Sequence, residues 1–162
     1  MSSGIKKVFV TPLTAVDTVA KDGLGEIRRE GNKTYKYVKY DDGTANLDVL
    51  AGDVVAYLDY DANSVTADMS DSNGIPAGVI VAAAITETDR YVWIQIKGAA
   101  ALAVDVTGGA VNDDLTVGAT DKAFIQQLFS GTSPNIEQNG PPAGTLYDAT
   151  ASNMKAILDC LM

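Results

Sequence analysis

A chain of 162 residues with 46% hydrophobic content is the size of one ordinary domain, with enough apolar material for a core and room for an appended arm. A net charge of −9 argues against nucleic acid or an anionic membrane surface as partner, because both reward a basic patch, and the absence of histidine removes Ser-His-Asp and Cys-His catalysis. The single cysteine, Cys160, can close no intrachain disulfide, so stability has to come from packing and association, and the redox compartment stays open.

Residues 1–22 mix β-branched residues, threonines, a proline and scattered charge without a sustained period, which predicts an extended N-terminal arm. Lys6 and Lys7 hint at a signal peptide, but no small-residue cleavage site follows a solid apolar region, so a retained N-terminus is expected. No run reaches the roughly 18 apolar residues of a membrane helix. Val8, Phe9, Val10 and Leu13 are the sticky residues of the arm. A disordered tail and an arm that orders on a partner are both compatible with them.

The domain proper is expected over residues 23–162. Glu26 to Glu30 and Lys33 to Tyr40 read as two strands joined at Gly31-Asn32, residues that tolerate the positive φ of a tight turn. On the second strand Tyr35, Tyr37 and Lys39 share one face and Lys36, Val38 and Tyr40 the other. A tyrosine row suits cross-strand packing or a subunit contact, and it also suits a sugar-binding platform. Val54 to Leu58 is a further short strand, followed by a polar stretch that reads as a loop. Within it Asp59, Asp61 and Asn63 have the spacing that begins a calcium loop, but Ser64 and Ser70 stand where an EF-hand needs glycine and glutamate, so a solvated turn is expected.

Residues 76–98 carry the clearest pattern: an apolar run through Ile85, a turn at Thr86 to Asp89, and an alternating strand to Gly98. Val92, Ile94 and Ile96 face a core, while Tyr91, Trp93, Gln95 and Lys97 face a wetter surface. Ala99 to Val106 is small and apolar. Strands are then expected at Leu115 to Val117 and Ala123 to Leu128, with a surface excursion from Phe129 to Gly140. Met154 to Leu161 has the composition of a helix, but an internal repeat argues for a strand. Pro76-Ala77-Gly78 matches Pro142-Ala143-Gly144, Gly52-Asp53-Val54-Val55 echoes Asn112-Asp113-Asp114-Leu115, and Trp93-Ile94-Gln95-Ile96 aligns with Ile157-Leu158-Asp159-Cys160. The expected fold is all-β, a compact barrel or sandwich built of two similar halves.

No catalytic, cofactor or metal site is expected. The acidic pairs Asp41-Asp42 and Asp113-Asp114 sit at apparent turns, and Gly23-Leu24-Gly25 lacks the lysine and the βαβ setting of a phosphate loop. The stretches GEIRREGNKTYKYVKYDDGTA, AGDVVAY and PAGVIVAAAITETDRYVWIQIKG, roughly residues 23–117, resemble the capsid decoration (cement) and related head structural proteins of tailed bacteriophages. That resemblance implies a compact β-barrel on the outer surface of the virion, bound to the major capsid protein and stabilising the assembled shell, with a homotrimer as the favoured state. On this reading Val8, Phe9, Val10 and Leu13 form a capsid-contacting arm, and Tyr35, Tyr37, Tyr91 and Trp93 are subunit-contact candidates. A carbohydrate-binding β-sandwich, with those four aromatics stacking on sugar rings, and a head-fibre or tail adhesion component are the alternatives.

Overall fold

The structure, a computed structural model, describes residues 8–106, 108–126 and 141–160. Its elements are all strands: β1 (Val16–Asp17), β2 (Ile27–Glu30), β3 (Lys33–Asp41), β4 (Val49–Leu50), β5 (Val54–Asp59), β6 (Ser64–Thr66), β7 (Pro76–Ile80), β8 (Ala84–Ile85), β9 (Arg90–Ala101), β10 (Asp114–Val117), β11 (Phe124–Gln126), β12 (Gly144–Asp148) and β13 (Lys155–Asp159). The expected all-β fold of two similar halves is the one observed.

Strand β9 is the spine. Along one edge it pairs with β3, from Thr34 opposite Lys97 to Tyr40 opposite Arg90. Its other edge is shared in turn by β1 at Tyr91 and Val92, β7 at Ile94 and Gln95, and β13 from Lys97 to Ala101. The pairings β9–β7, β7–β5, β5–β6, β6–β3 and β3–β9 close a circuit of five strands. Closure removes sheet edges. Val38, Tyr40, Val55, Tyr57, Val65, Ile80, Val92, Ile94 and Ile96 are buried in the core of this half. Each such side chain contributes about 1.5–3 kcal/mol relative to exposure.

The same strand order recurs as β9–β13–β12–β10–β11, with no closing β11–β9 pair among the described residues. Around the glycine-aspartate turn the two halves share their hydrogen bonds. Gly52 N–H donates to Ile80 O and Asn112 N–H to Leu146 O (3.0 and 2.8 Å), while Ile80 N–H returns to Asp53 O and Leu146 N–H to Asp113 O (both 2.9 Å). The Asp53 and Asp113 carboxylates each accept the backbone N–H three residues earlier, at 2.8 and 2.6 Å. Glycine is required at Gly78 (φ 155°) and Gly144 (φ 152°) because a Cβ there would collide with the carbonyl oxygens of Gln95 and Ile157. One hydrophobic cluster spans both halves, from Val38 to Cys160.

Three local expectations change. Residues 76–98 do not form a tight hairpin: β7 stops at Ile80, and the chain then detours so that β8 pairs with β4 before β9 begins at Arg90. The polar stretch after β5 contains a strand, β6, which pairs in parallel with β3. The close approach of Gly78 to Gln95 and of Gly144 to Ile157 aligns Gln95 with Ile157, two residues from the register expected from sequence. The C-terminus is strand β13, as the internal repeat predicted. The Phe129 to Gly140 excursion lies outside the described residues.

Candidate interaction surface

The outer face of β3 and β9 carries Tyr35, Tyr37 and Trp93, and all three are buried. Residues 8–22 bury them. This segment crosses the sheet face as a strap, with Phe9 and Leu13 packed against the aromatic cluster. Phe9 meets Trp93 edge to face at 5.3 Å between ring centroids, and Tyr37 lies 5.0 Å from Trp93 and 6.5 Å from Tyr91. The Arg28 guanidinium, from β2, stands 5.4 Å from the Phe9 ring centre and 5.9 Å from that of Trp93.

Thr11 is the residue through which the strap is fastened. Its hydroxyl accepts the Trp93 indole N–H at 2.9 Å and donates to Asp22 at 2.6 Å. Its N–H donates to the same Asp22 carboxylate at 3.2 Å, as does that of Val10 at 3.1 Å, and its carbonyl accepts from Arg28 at 2.9 Å. Further along, Val16 and Asp17 pair with Val92 and Tyr91. Asp17 is buried, accepts from the Tyr37 hydroxyl at 3.3 Å and is paired with Lys21 at 2.5 Å. Burial in this setting pushes the Tyr37 phenol up to about 12.

Two sequence expectations need correction here. Residues 8–22 are not a free arm beside the domain but the lid of its aromatic face, so the boundary at residue 22 does not separate two bodies. Tyr35, Tyr37 and Trp93, taken as subunit-contact candidates, are enclosed by their own chain, and of that set only Tyr91 retains intermediate exposure. The physical ground for a trimer joined through this face is thereby removed. The four sticky residues divide: Phe9 and Leu13 dock inward, while Val8 and Val10 turn outward, 83% and 69% exposed. Val19 at 63% and Val16 at 38% extend the outward set.

Two features of the site escaped the sequence reading. Thr11 and Asp22 look like ordinary loop residues, and nothing in their neighbourhood signals a partner on β9. Arg28 reads as a solvated edge charge, which Arg29 and Glu30 are. Lys36 was legible, since it shares a face with Val38 and Tyr40. It is buried, donates to the Tyr57 hydroxyl at 2.9 Å and lies 5.0 and 5.2 Å from the Tyr57 and Tyr60 ring centres. Burial lowers its pKa.

Several of the remaining polar groups are engaged in turn and loop hydrogen bonds. Asp59 spends one oxygen on the N–H groups of Asp61 and Ala62, and Asp41 accepts from Gly43 N–H. Asp68, whose pKa is lowered by hydrogen bonds led by that of Ser70, ties Thr44 and Ala45 to its own loop. The Cys160 thiol is pushed up to about 12 by burial, and it donates to Ala143 O. Among the described residues no group of three or more His, Cys, Asp or Glu is placed to hold a metal ion. No family model matches the chain, and no curated protein matches it.

Proposed function

We propose that the chain is a capsid decoration protein that binds the outer surface of an assembled phage shell and bridges neighbouring subunits of the major capsid protein. The observation that carries this reading is the strap, held rigidly on one side by Phe9, Thr11 and Leu13 while Val8, Val10, Val16 and Val19 turn outward. Exposed apolar residues gathered on one segment fit adhesion to another protein. The likeness of residues 23–117 to decoration proteins supports the same reading. The sugar-binding alternative needs open aromatic faces, and Tyr37 and Trp93 have none.

The test mixes the full chain with undecorated capsids of tailed phages and images the particles. Regular added density on the shell is the expected result. The triple variant Val8→Ser, Val10→Ser, Val19→Ser keeps every inward contact, so its thermal midpoint should stay within about 2 °C of the parent, while its retention on capsids falls. Capsids that remain bare, or a triple variant retained as well as the parent, would refute the proposal.

A further inference from the structure

The internal repeat provides a control for the strap, because the same sheet face exists twice and, among the described residues, is covered once. Aligning Gln95 with Ile157 places Lys155 at the position of Trp93 and Asp159 at that of Lys97. The cross-strand partners follow: Ala99 faces Ile157 as Tyr35 faces Gln95, and Ala101 faces Lys155 as Tyr37 faces Trp93. In the first half Tyr35, Tyr37, Trp93 and Gln95 are all buried. In the second, Ile157 is 45% exposed and Tyr147, on the neighbouring strand β12, 42%.

The charge on this second face differs from that of the chain. Lys97 pairs with Asp159 at 2.9 Å and Lys155 with Asp148 at 3.0 Å, across adjacent strands. Asp114, bonded to Thr145 at 3.3 Å, lies at the far end of the row Ala99, Ile157, Thr145, Asp114. Two lysines therefore stand among three aspartates, close to neutrality in a chain of net charge −9. Like-charged copies repel over most of their surface and can meet where the local charge is balanced. Ala99 and Ala101 place no bulk between facing sheets, and alternating Lys and Asp present each sign to its opposite under a two-fold axis.

We infer that the outer face of β9, β12 and β13 is a homodimer interface, occupied by the same face of a second copy with Ile157 and Tyr147 at its apolar centre. The contact is isologous, so it closes at two subunits. It leaves the outward valines of the strap free for a different partner.

Sedimentation of the full chain at about 100 µM, where a modest interface associates, should give twice the 16.9 kDa chain mass. Ile157→Lys places a charge at the centre and is expected to raise the dissociation constant at least ~100-fold, and Tyr147→Ser about tenfold. Lys97→Glu should weaken the dimer about tenfold, and adding Asp159→Lys should restore it, because the swap returns the face to balanced charge. Val10→Ser should leave association unchanged. A monomer at this concentration, a trimer, or a dimer that survives both Ile157→Lys and Tyr147→Ser overturns the inference. If circular dichroism shows Ile157→Lys unfolded, Tyr147→Ser and the charge swap decide it: loss and restoration as above support it, and indifference to both overturns it.

Discussion

Thr11→Val tests whether the strap is part of the fold. The substitution nearly conserves shape, so its effect comes through the hydroxyl. That group accepts from the indole of Trp93, which has no exposed surface, and donates to the Asp22 carboxylate. Leaving a buried N–H without an acceptor costs about 1–3 kcal/mol. The lost bond to the carboxylate adds about 1 kcal/mol, less than the usual ~1.5–3 for a charged acceptor, because the N–H groups of Val10 and Thr11 still serve Asp22. The sum is about 3 kcal/mol. With an unfolding entropy of about 0.34 kcal/mol per kelvin for a chain of this length, it corresponds to a fall in Tm of about 9 °C. Should the strap peel away before the body unfolds, the Tm loss is smaller, but Trp93, the only tryptophan, becomes wet and its emission shifts to the red. Thermal unfolding and fluorescence are therefore read together, with Thr11→Ser as the control that keeps the hydroxyl. A Tm within about 2 °C of the parent, combined with unchanged emission, would refute the strap as drawn.

Gly78→Ala and Gly144→Ala each push a methyl group into a neighbouring strand's carbonyl oxygen, so each should lower stability by about 2–4 kcal/mol in denaturant titrations; tolerance of either would mean that the close strand approach is absent. Burial raises the phenols of Tyr37, to about 12, and of Tyr40 and Tyr57. The unfolded chain therefore releases these protons first, so their stabilising contribution is complete below pH ~10 and is lost as the pH rises through the folded values. Tyrosinate absorbance should rise for these residues together with loss of the native circular dichroism, and independent titration in a folded chain would contradict it.

What the sequence showed depended on the range of the forces involved. Strands β2 and β3 were legible because Gly31-Asn32 marks their turn and Lys33 to Tyr40 alternates, both local signals. The repeat was legible because Gly78 and Gly144 are fixed by backbone collisions that admit no side chain. Strand β6 was not, since Ser64-Val65-Thr66 is three residues long and owes its extended form to β3 and β5, its neighbours in the sheet. Trp93 was misjudged for the same reason. Alternation along β9 correctly assigned it away from the main core, but its cover, Thr11, lies 82 residues earlier in the chain. Hydrophobic periodicity reports which face a side chain is on and is silent about what lies over that face.

The difference between the two halves indicates what the strap is for. Where the first half carries Trp93, Tyr35 and Tyr37, the second carries Lys155, Ala99 and Ala101 at the aligned positions. Aromatic side chains of this kind bury about 150–250 Å² each, so without a cover the first half would expose a patch large enough to drive association. The second half has no such need, and among the described residues no such cover. Strap and aromatics thus form one folding unit, with the outer side of the strap left exposed. Val8, Val10, Val16 and Val19 are then displayed on a backbone already held by Asp22, Arg28 and strand β9. A partner that meets this strip orders little new chain, so more of the interaction between them remains as affinity than a disordered tail with the same residues would retain.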